Sequence, residues 1–275
     1  MNKILFPNFN LEFEISPVAI EVGNIQIYWY AVLIVLGIVI SLFLTYFDKN
    51  KENYNIEYDD FLEIMIFVLI FGILGARVFY VLFNLNYYIL NPLQIFNIRN
   101  GGLAIYGGII VGAIIAYLIC QKKKIKFLNL CDFIVPYLAL TQGIGRLGNF
   151  INIEAYGEET TNFLRMGIFL DTGYREVHPC FLYELLGCFF IFVISKLCQK
   201  KQKFSGEILS IYLVLYGIIR FLIEGVRVDS LMIYNLKISQ VISIFFVTFG
   251  LIIYIKNKFC RKKKNKVDEK KDKVF

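Results

Sequence analysis

The sequence predicts an all-α polytopic membrane protein with about seven transmembrane helices and a small external head between the fourth and fifth. Three observations predict it. Hydrophobic residues make up 57% of the 275 and charged residues only 19%, with a mean hydropathy of +0.61, which is the composition of a membrane chain rather than of a soluble domain. Apolar segments close to the ~20 residues that cross a hydrocarbon core recur along the whole chain. Lysine and arginine gather in alternate connections, so one side of the predicted bundle is strongly basic.

The first segment runs from about Ile25 to Phe47 and the second from Phe61 to Phe83. The third spans Leu103 to Cys120, and the fourth Leu130 to about Leu147. Cys180 to Cys198, Ile208 to about Ile223, and Ile238 to Ile255 complete the set. Gly72 and Ala76, and Gly108 and Gly112, are small residues four apart, a spacing that lets helices approach closely. The start, M-N-K-I-L-F-P-N-F-N, lacks the continuous apolar core and small-residue cleavage site of a secretion signal, so the first span is expected to stay uncleaved. The six cysteines (Cys120, Cys131, Cys180, Cys188, Cys198, Cys260) form no C-x-x-C pair and lie mostly in or beside apolar runs. That points to buried thiols rather than a disulfide framework or a metal site, and no cofactor is implied.

Charge sets the orientation. Lys49 and Lys51, the loop with Lys122, Lys123, Lys124 and Lys126, the turn with Lys196, Lys200, Lys201 and Lys203, and the tail 256–275 hold most of the basic residues. The other side has Lys3, Arg99, Arg165, Arg175, Arg227 and Lys237. The positive-inside rule then puts the N-terminus outside and the tail in the cytoplasm. Anionic lipid explains the basic tail more simply than nucleic acid does, so the expected partner is the bilayer. Residues 1–275 read as one transmembrane domain, with 151–179 as the external head.

Against that background the stretch Gly143–Gly157, G-I-G-R-L-G-N-F-I-N-I-E-A-Y-G, stands apart, carrying Arg146, Asn149, Asn152 and Glu154 out of an apolar run. An ionisable group at bilayer depth costs at least ~2.5–3.5 kcal/mol. Arg77 and Arg220 also fall inside apolar segments. In the orientation above, all three arginines lie toward the outer ends of their helices. Tyr28, Trp29 and Tyr30 sit near the outer end of the first helix and Tyr106 near that of the third, while His178, Tyr183 and Glu184 open the fifth. On the sixth, Tyr216, Arg220, Glu224 and Arg227 are spaced to share one face.

Plainer readings stand beside each. Arg220–Glu224 also reads as a structural ion pair, the aromatic triplet as an interfacial belt, and Arg77 as a snorkelling side chain. His178, before Pro179 at a helix start, fits a cap or orienting group as readily as a base. Convergence at one depth favours a site. Arginines beside glycines suit phosphate, which guanidinium binds as a bidentate fork, and phosphate at outer-leaflet depth is most simply a phospholipid head group. No serine elbow, intramembrane glycine–aspartate pair, P-loop or H-E-x-x-H is present, and no aspartate follows His178 four or five residues on. What remains is a site that holds a phospholipid and positions a second substrate to attack it. The alternative is a phospholipid or anionic-solute transporter, which tends to show internal repeats with broken helices; none is visible.

The run Gly145–Gly157 resembles the signature of the bacterial prolipoprotein diacylglyceryl transferases. So do W-Y-A at Trp29–Ala31, G-G-L-A-I-Y-G-G at Gly101–Gly108, D-F-I-V-P at Asp132–Pro136, H-P-C-F-L-Y-E at His178–Glu184 and Y-G-I-I-R-F-L-I-E-G-V-R at Tyr216–Arg227. The resemblance covers the membrane region in order. It implies transfer of the sn-1,2-diacylglyceryl group of phosphatidylglycerol to the lipobox cysteine of preprolipoproteins in the bacterial inner membrane, forming a thioether and releasing glycerol phosphate. It also implies Arg146 and Arg220 as the essential arginines, with Asn149, Glu154 and Gly157 in the same signature and Tyr30, Tyr216 and Glu224 at further functional positions. Phosphatidylglycerol is expected at Arg146, Asn149, Asn152, Gly157, Arg220, Tyr216 and Arg77, with His178, Tyr183 and Glu184 as orienting groups.

Two departures from the resemblance bear on mechanism. Tyr106 stands where many relatives carry a histidine proposed as the base. A tyrosine of ordinary pKa ~10 is a poor base, so Tyr106 is expected to orient substrate. Thiol activation then falls to the arginine field, to a carboxylate such as Glu154 or Glu224, or to His178. Phe181 stands where relatives often have glutamine, which puts one contact in doubt.

Overall fold

The computed structural model describes residues 1–23, 25–98 and 101–272, with the backbone alone at 233 and 262–272. Strands β1 (Asn2–Phe6), β2 (Leu11–Ile15), β3 (Val18–Val22) and β4 (Ile25–Tyr28) precede helix α1 (Trp29–Phe47). The short α2 (Asn50–Asn53), then α3 (Tyr58–Phe83), the short α4 (Leu85–Leu90), α5 (Ile105–Lys122) and α6 (Phe127–Asn152) follow. Strands β5 (Met166–Leu170) and β6 (Gly173–Val177) lead into α7 (Cys180–Gln199) and α8 (Glu207–Val226). A hairpin of β7 (Met232–Ile233) and β8 (Leu236–Lys237) enters α9 (Ile238–Asp272). Seven of the helices (α1, α3 and α5–α9) are long and apolar enough to cross a membrane, so the fold is that of an all-α polytopic membrane protein with a minor sheet.

The departures from expectation lie at the edges of these helices. The apolar run beginning at Ile25 starts as a strand, paired with β3 through Val22↔Ile25 and Ile20↔Ile27, and the helix begins only at Trp29. The β-branched residues on both strands suit a pleated pair. L-E-F-E-I alternates with period two and forms β2, as such alternation predicts. Helix α6 runs on to Asn152 rather than ending near Leu147, so Asn149 and Asn152 lie inside the helix together with Arg146.

The chain divides into two compact units, one of Met1–Asp48 with Cys131–Phe275 and one of Lys49–Leu130. In the second unit α3 packs on α5 through glycines. Gly72 and Ala76 meet Gly108 as their spacing predicts, and the tightest point lies beside them. A Cβ on Gly107 would stand 2.6 Å from the Gly75 carbonyl oxygen.

In the first unit the sheet order is β2-β1-β5-β6, all antiparallel. The pairing Ile4↔Ile168 ties the N-terminal strands to residues 151–179. Ile4 and Ile168 are fully buried with Met166, Val177 and Phe181, and each such side chain contributes ~1.5–3 kcal/mol. Phe150 of α6 packs against Phe181 of α7 with ring centroids 4.7 Å apart and the planes tilted by 33°. The sheet therefore pins the C-terminal turns of α6 to the N-terminal turns of α7.

The far end of these helices is held by polar contacts. Pro136 has no N–H to give the carbonyl of Asp132 one turn back, and Gln199 donates to that oxygen instead, at 2.9 Å. The Asp132 carboxylate accepts from the backbone N–H groups of Gly206 (2.5 Å) and Leu209 (2.8 Å), which satisfies the open donors at the start of α8. Lys196 of α7 pairs with Asp48 at 2.5 Å. Together these contacts set the register of α6, α7 and α8.

Candidate active site

Helices α6, α7 and α8 alternate in direction, so the last turns of α6 and α8 share one end with the first turns of α7. There Glu184 of α7, 5% exposed, engages both arginines of the signature motifs. Its Oε2 pairs with Nε of Arg146 and its Oε1 with Nη1 of Arg220. Arg220 Nη2 also pairs with Glu224 Oε2 at 2.7 Å, one turn along α8, and donates to Ser239 Oγ at 3.4 Å. The guanidinia stay charged among apolar helices because each has a carboxylate at hand. Tyr30 of α1 and Tyr216 of α8 lie within electrostatic reach of Arg146. Tyr30 rests on α6 where Gly148 leaves space, since a Cβ there would stand 2.5 Å from its ring.

A second chain of contacts runs from Arg146 to the head. Arg146 Nη1 donates to Asn149 Oδ1 at 3.3 Å. Asn149 Nδ2 donates to Glu154 Oε2 at 3.5 Å, and Asn152 Nδ2 to Glu154 Oε1 at 3.2 Å. Ile153 (φ 54°) and Ala155 (φ 57°) are left-handed and turn the chain back, so that the Glu154 N–H reaches the Asn149 carbonyl at 2.9 Å. Two such residues cost ~1–3 kcal/mol each, which the interlocked side chains offset.

Gly157 stands where the head crosses between α7 and α8. Its N–H donates to the His178 carbonyl at 2.9 Å. A Cβ would lie 2.6 Å from His178 Cβ and 2.9 Å from the Val226 oxygen, so space alone demands glycine. His178 Nδ1 lies 3.2 Å from Tyr183 Oη. Lys237 Nζ donates to the carbonyls of Glu224 (2.7 Å) and Arg227 (3.0 Å) and closes the C-terminus of α8.

Some residues stand differently from the sequence pattern. Arg227 lies past the end of α8 and forks onto Asp229, with Nε–Oδ1 2.5 Å and Nη2–Oδ2 3.0 Å. This holds the Asp229 carboxyl below the usual range. The helix face therefore carries Tyr216, Arg220 and Glu224 without Arg227. Phe181, in place of a common glutamine, joins the sheet core at 7% exposure.

Arg77 and Tyr106 belong to the other unit. Tyr106 opens α5 and is half exposed. Arg77 gives each of its five N–H donors to a backbone carbonyl, those of Gln94, Ile95, Asn97, Gly101 and Gly102, at 2.6–3.0 Å. In this arrangement it keeps no N–H for a phosphate, because the guanidinium has five donors in all. Sequence reading does not single out Ser239, or Lys237 as a helix cap; a serine or lysine at the mouth of an apolar helix carries no local sign of its partner.

Comparison with known proteins identifies the family. A family model described as prolipoprotein diacylglyceryl transferase matches residues 17–256. Proteins named phosphatidylglycerol–prolipoprotein diacylglyceryl transferase are similar over nearly their whole length. That of Finegoldia magna is 46% identical over 242 residues, covering 88% of this chain and 95% of the relative. Those of Clostridium novyi and Clostridioides difficile are each 41% identical, covering 88% and 92% of this chain and 96% and 98% of the relative. With this similarity along its length, the chain belongs to the prolipoprotein diacylglyceryl transferase family.

Proposed function

We propose that this chain transfers the sn-1,2-diacylglyceryl group of phosphatidylglycerol to the lipobox cysteine thiol of a preprolipoprotein, forming a thioether and releasing glycerol phosphate. The observation that carries the reading is the pair of guanidinia from α6 and α8 converging on one carboxylate. That is the geometry of a site for one anion with two acceptor oxygens. Arg146 and Arg220 hold the phosphate. As the glyceryl C–O bond breaks, charge grows on the leaving group, and fixed guanidinia in a water-poor site stabilise it.

Asn149, Asn152 and Glu154 orient Arg146, Glu224 orients Arg220, and Tyr30 and Tyr216 line the approach. Gly157 keeps the head close over α7 and α8, with His178 and Tyr183 orienting the entering peptide and Tyr106 orienting lipid. The chain is a multi-pass protein of the bacterial inner membrane. The distribution of lysine and arginine supports an N-terminus and head outside and the 256–275 tail in the cytoplasm. The arginine end of the helices then faces the outer leaflet, where a secreted cysteine arrives.

The test uses purified protein, phosphatidylglycerol and a synthetic lipobox peptide, following mass gain on the cysteine and release of glycerol phosphate. A diacylglyceryl-sized adduct is expected from the native chain, falling ~10²–10³-fold in Arg146→Ala. Phosphatidylglycerol binding without any adduct, from folded protein, overturns the transferase in favour of transport.

A further inference from the structure

Glu184 occupies the place the reading above gives to phosphate. Its two oxygens are divided between two guanidinia on different helices, as two non-bridging phosphate oxygens would be. Counted with Glu224, the cluster holds two arginines and two carboxylates, so it is neutral without lipid. A phosphodiester brings one more negative charge into an apolar, buried setting. Either the anion is repelled, or one carboxylate yields its arginines and takes a proton, because a buried carboxylate without a partner is neutralised.

Which carboxylate yields is decided by geometry. The Glu224 side chain is 1% exposed and pairs with Arg220 on its own helix. Glu154 is exposed and held by two asparagines. Among the described residues, Glu184 is the carboxylate that joins both guanidinia. The charged and titratable groups around it are Arg146 from α6, Tyr216, Arg220 and Glu224 from α8, Arg227 beyond α8, and Cys180 and Cys188 on its own helix. Tyr30 of α1 lies beside Arg146.

We propose that Glu184 is both the phosphate's stand-in in the lipid-free site and the proton acceptor of the reaction. The inference rests on the transferase reading. Phosphate takes the two guanidinia and frees the carboxylate, which receives the S–H proton of the substrate cysteine. The sulfur electron pair forms the C–S bond at the glyceryl carbon. The C–O bond to phosphate breaks with its pair going to oxygen. The departing glycerol phosphate then takes the proton from Glu184, and the carboxylate returns to the arginines. The thiol proton thus ends on the product and the enzyme is restored.

The experiment compares full-length wild type, Glu184→Gln and Glu184→Asp, measuring affinity for short-chain phosphatidylglycerol and turnover of a lipobox peptide against pH. A neutral amide no longer competes with phosphate, so Glu184→Gln is expected to bind the lipid at least as tightly as wild type while turning over ~10²–10⁴-fold more slowly. The acidic limb of its pH profile is expected to vanish. A peptide with selenocysteine in place of the cysteine, already ionised at neutral pH, is expected to recover much of the loss. Glu184→Asp keeps a carboxylate and is expected to keep the limb at a reduced rate; it decides the matter if the amide variant does not fold. Unchanged turnover in Glu184→Gln, or loss of the acidic limb in Glu184→Asp, overturns the proposal. So does parallel loss of lipid affinity and turnover that selenocysteine does not rescue, which marks a structural ion pair only. Failure of the wild type to form any adduct sinks the transferase reading itself and is separate from these outcomes.

Discussion

Arg77 and Arg220 both sit in apolar helices, yet their partners are opposite in kind. Arg77 is wrapped by five neutral backbone carbonyls and lies against the faces of Tyr80 and Tyr88, 5.9 and 5.3 Å from their ring centroids. Gly102, at φ +76°, passes so close that a Cβ would stand 2.4 Å from its Nη1. Arg220, like Arg146, is matched instead by carboxylates. A guanidinium saturated by carbonyls is a staple, because taking it away from them leaves buried acceptors unpaired. One matched by carboxylates is exchangeable, since another anion can replace its partner. The apolar setting does not separate the two cases; the partner does.

The largest effect that tests this contrast is expected at Arg220. Arg220→Ala leaves Glu224 and half of Glu184 without a counter-charge, so turnover should fall at least ~10²–10³-fold and stability by ~3–5 kcal/mol. Peptide modification and thermal unfolding in detergent would read the two losses, and retention of both would break the contrast. A smaller, one-sided loss is expected at Arg77. Arg77→Lys has three donors for five carbonyls, which should cost ~1–3 kcal/mol for each acceptor left unpaired while phosphatidylglycerol affinity stays unchanged. Lost lipid affinity in a stable Arg77→Lys protein would instead make that arginine part of the lipid site.

The smallest effect concerns the fork beyond α8. Arg227 holds the Asp229 carboxyl below its ordinary value chiefly through a hydrogen bond. Its stabilisation is therefore present above the unfolded pKa of ~3.9 and is lost as pH falls through the lower folded value. Asp229 is half exposed, so the effect stays within ~1 kcal/mol. The amide-exchange protection of residues 228–237, relative to the intrinsic rate, should fall below about pH 4. Protection that is flat with pH would show that the fork contributes nothing.

The seven spans were legible because hydropathy is a local property: about 20 apolar residues suffice for a helix that satisfies its own backbone in lipid. Arg146 and Arg220 were legible for the complementary reason, that charge in such a run is costly and rarely idle. The orienting role expected of Glu184 understated its position, since nothing in C-F-L-Y-E says that its carboxylate spans two other helices. The strands were less visible still. L-E-F-E-I alternates and pairs with β1 beside it, but the other partner of β1 is β5, some 160 residues away, and local pattern does not name a distant partner.

By itself, then, the sequence determined the membrane class, the approximate helices, the presence of arginine-bearing motifs inside them and the family they resemble. Tertiary structure alone decided that Arg77 is met by carbonyls and Arg220 by carboxylates, that Glu184 joins Arg146 to Arg220, and that the N-terminus helps to build the head. The physical reason is that burial and helix formation depend on neighbours in the chain. The state of a buried charge depends on the few atoms within hydrogen-bond reach, and folding brings those from elsewhere.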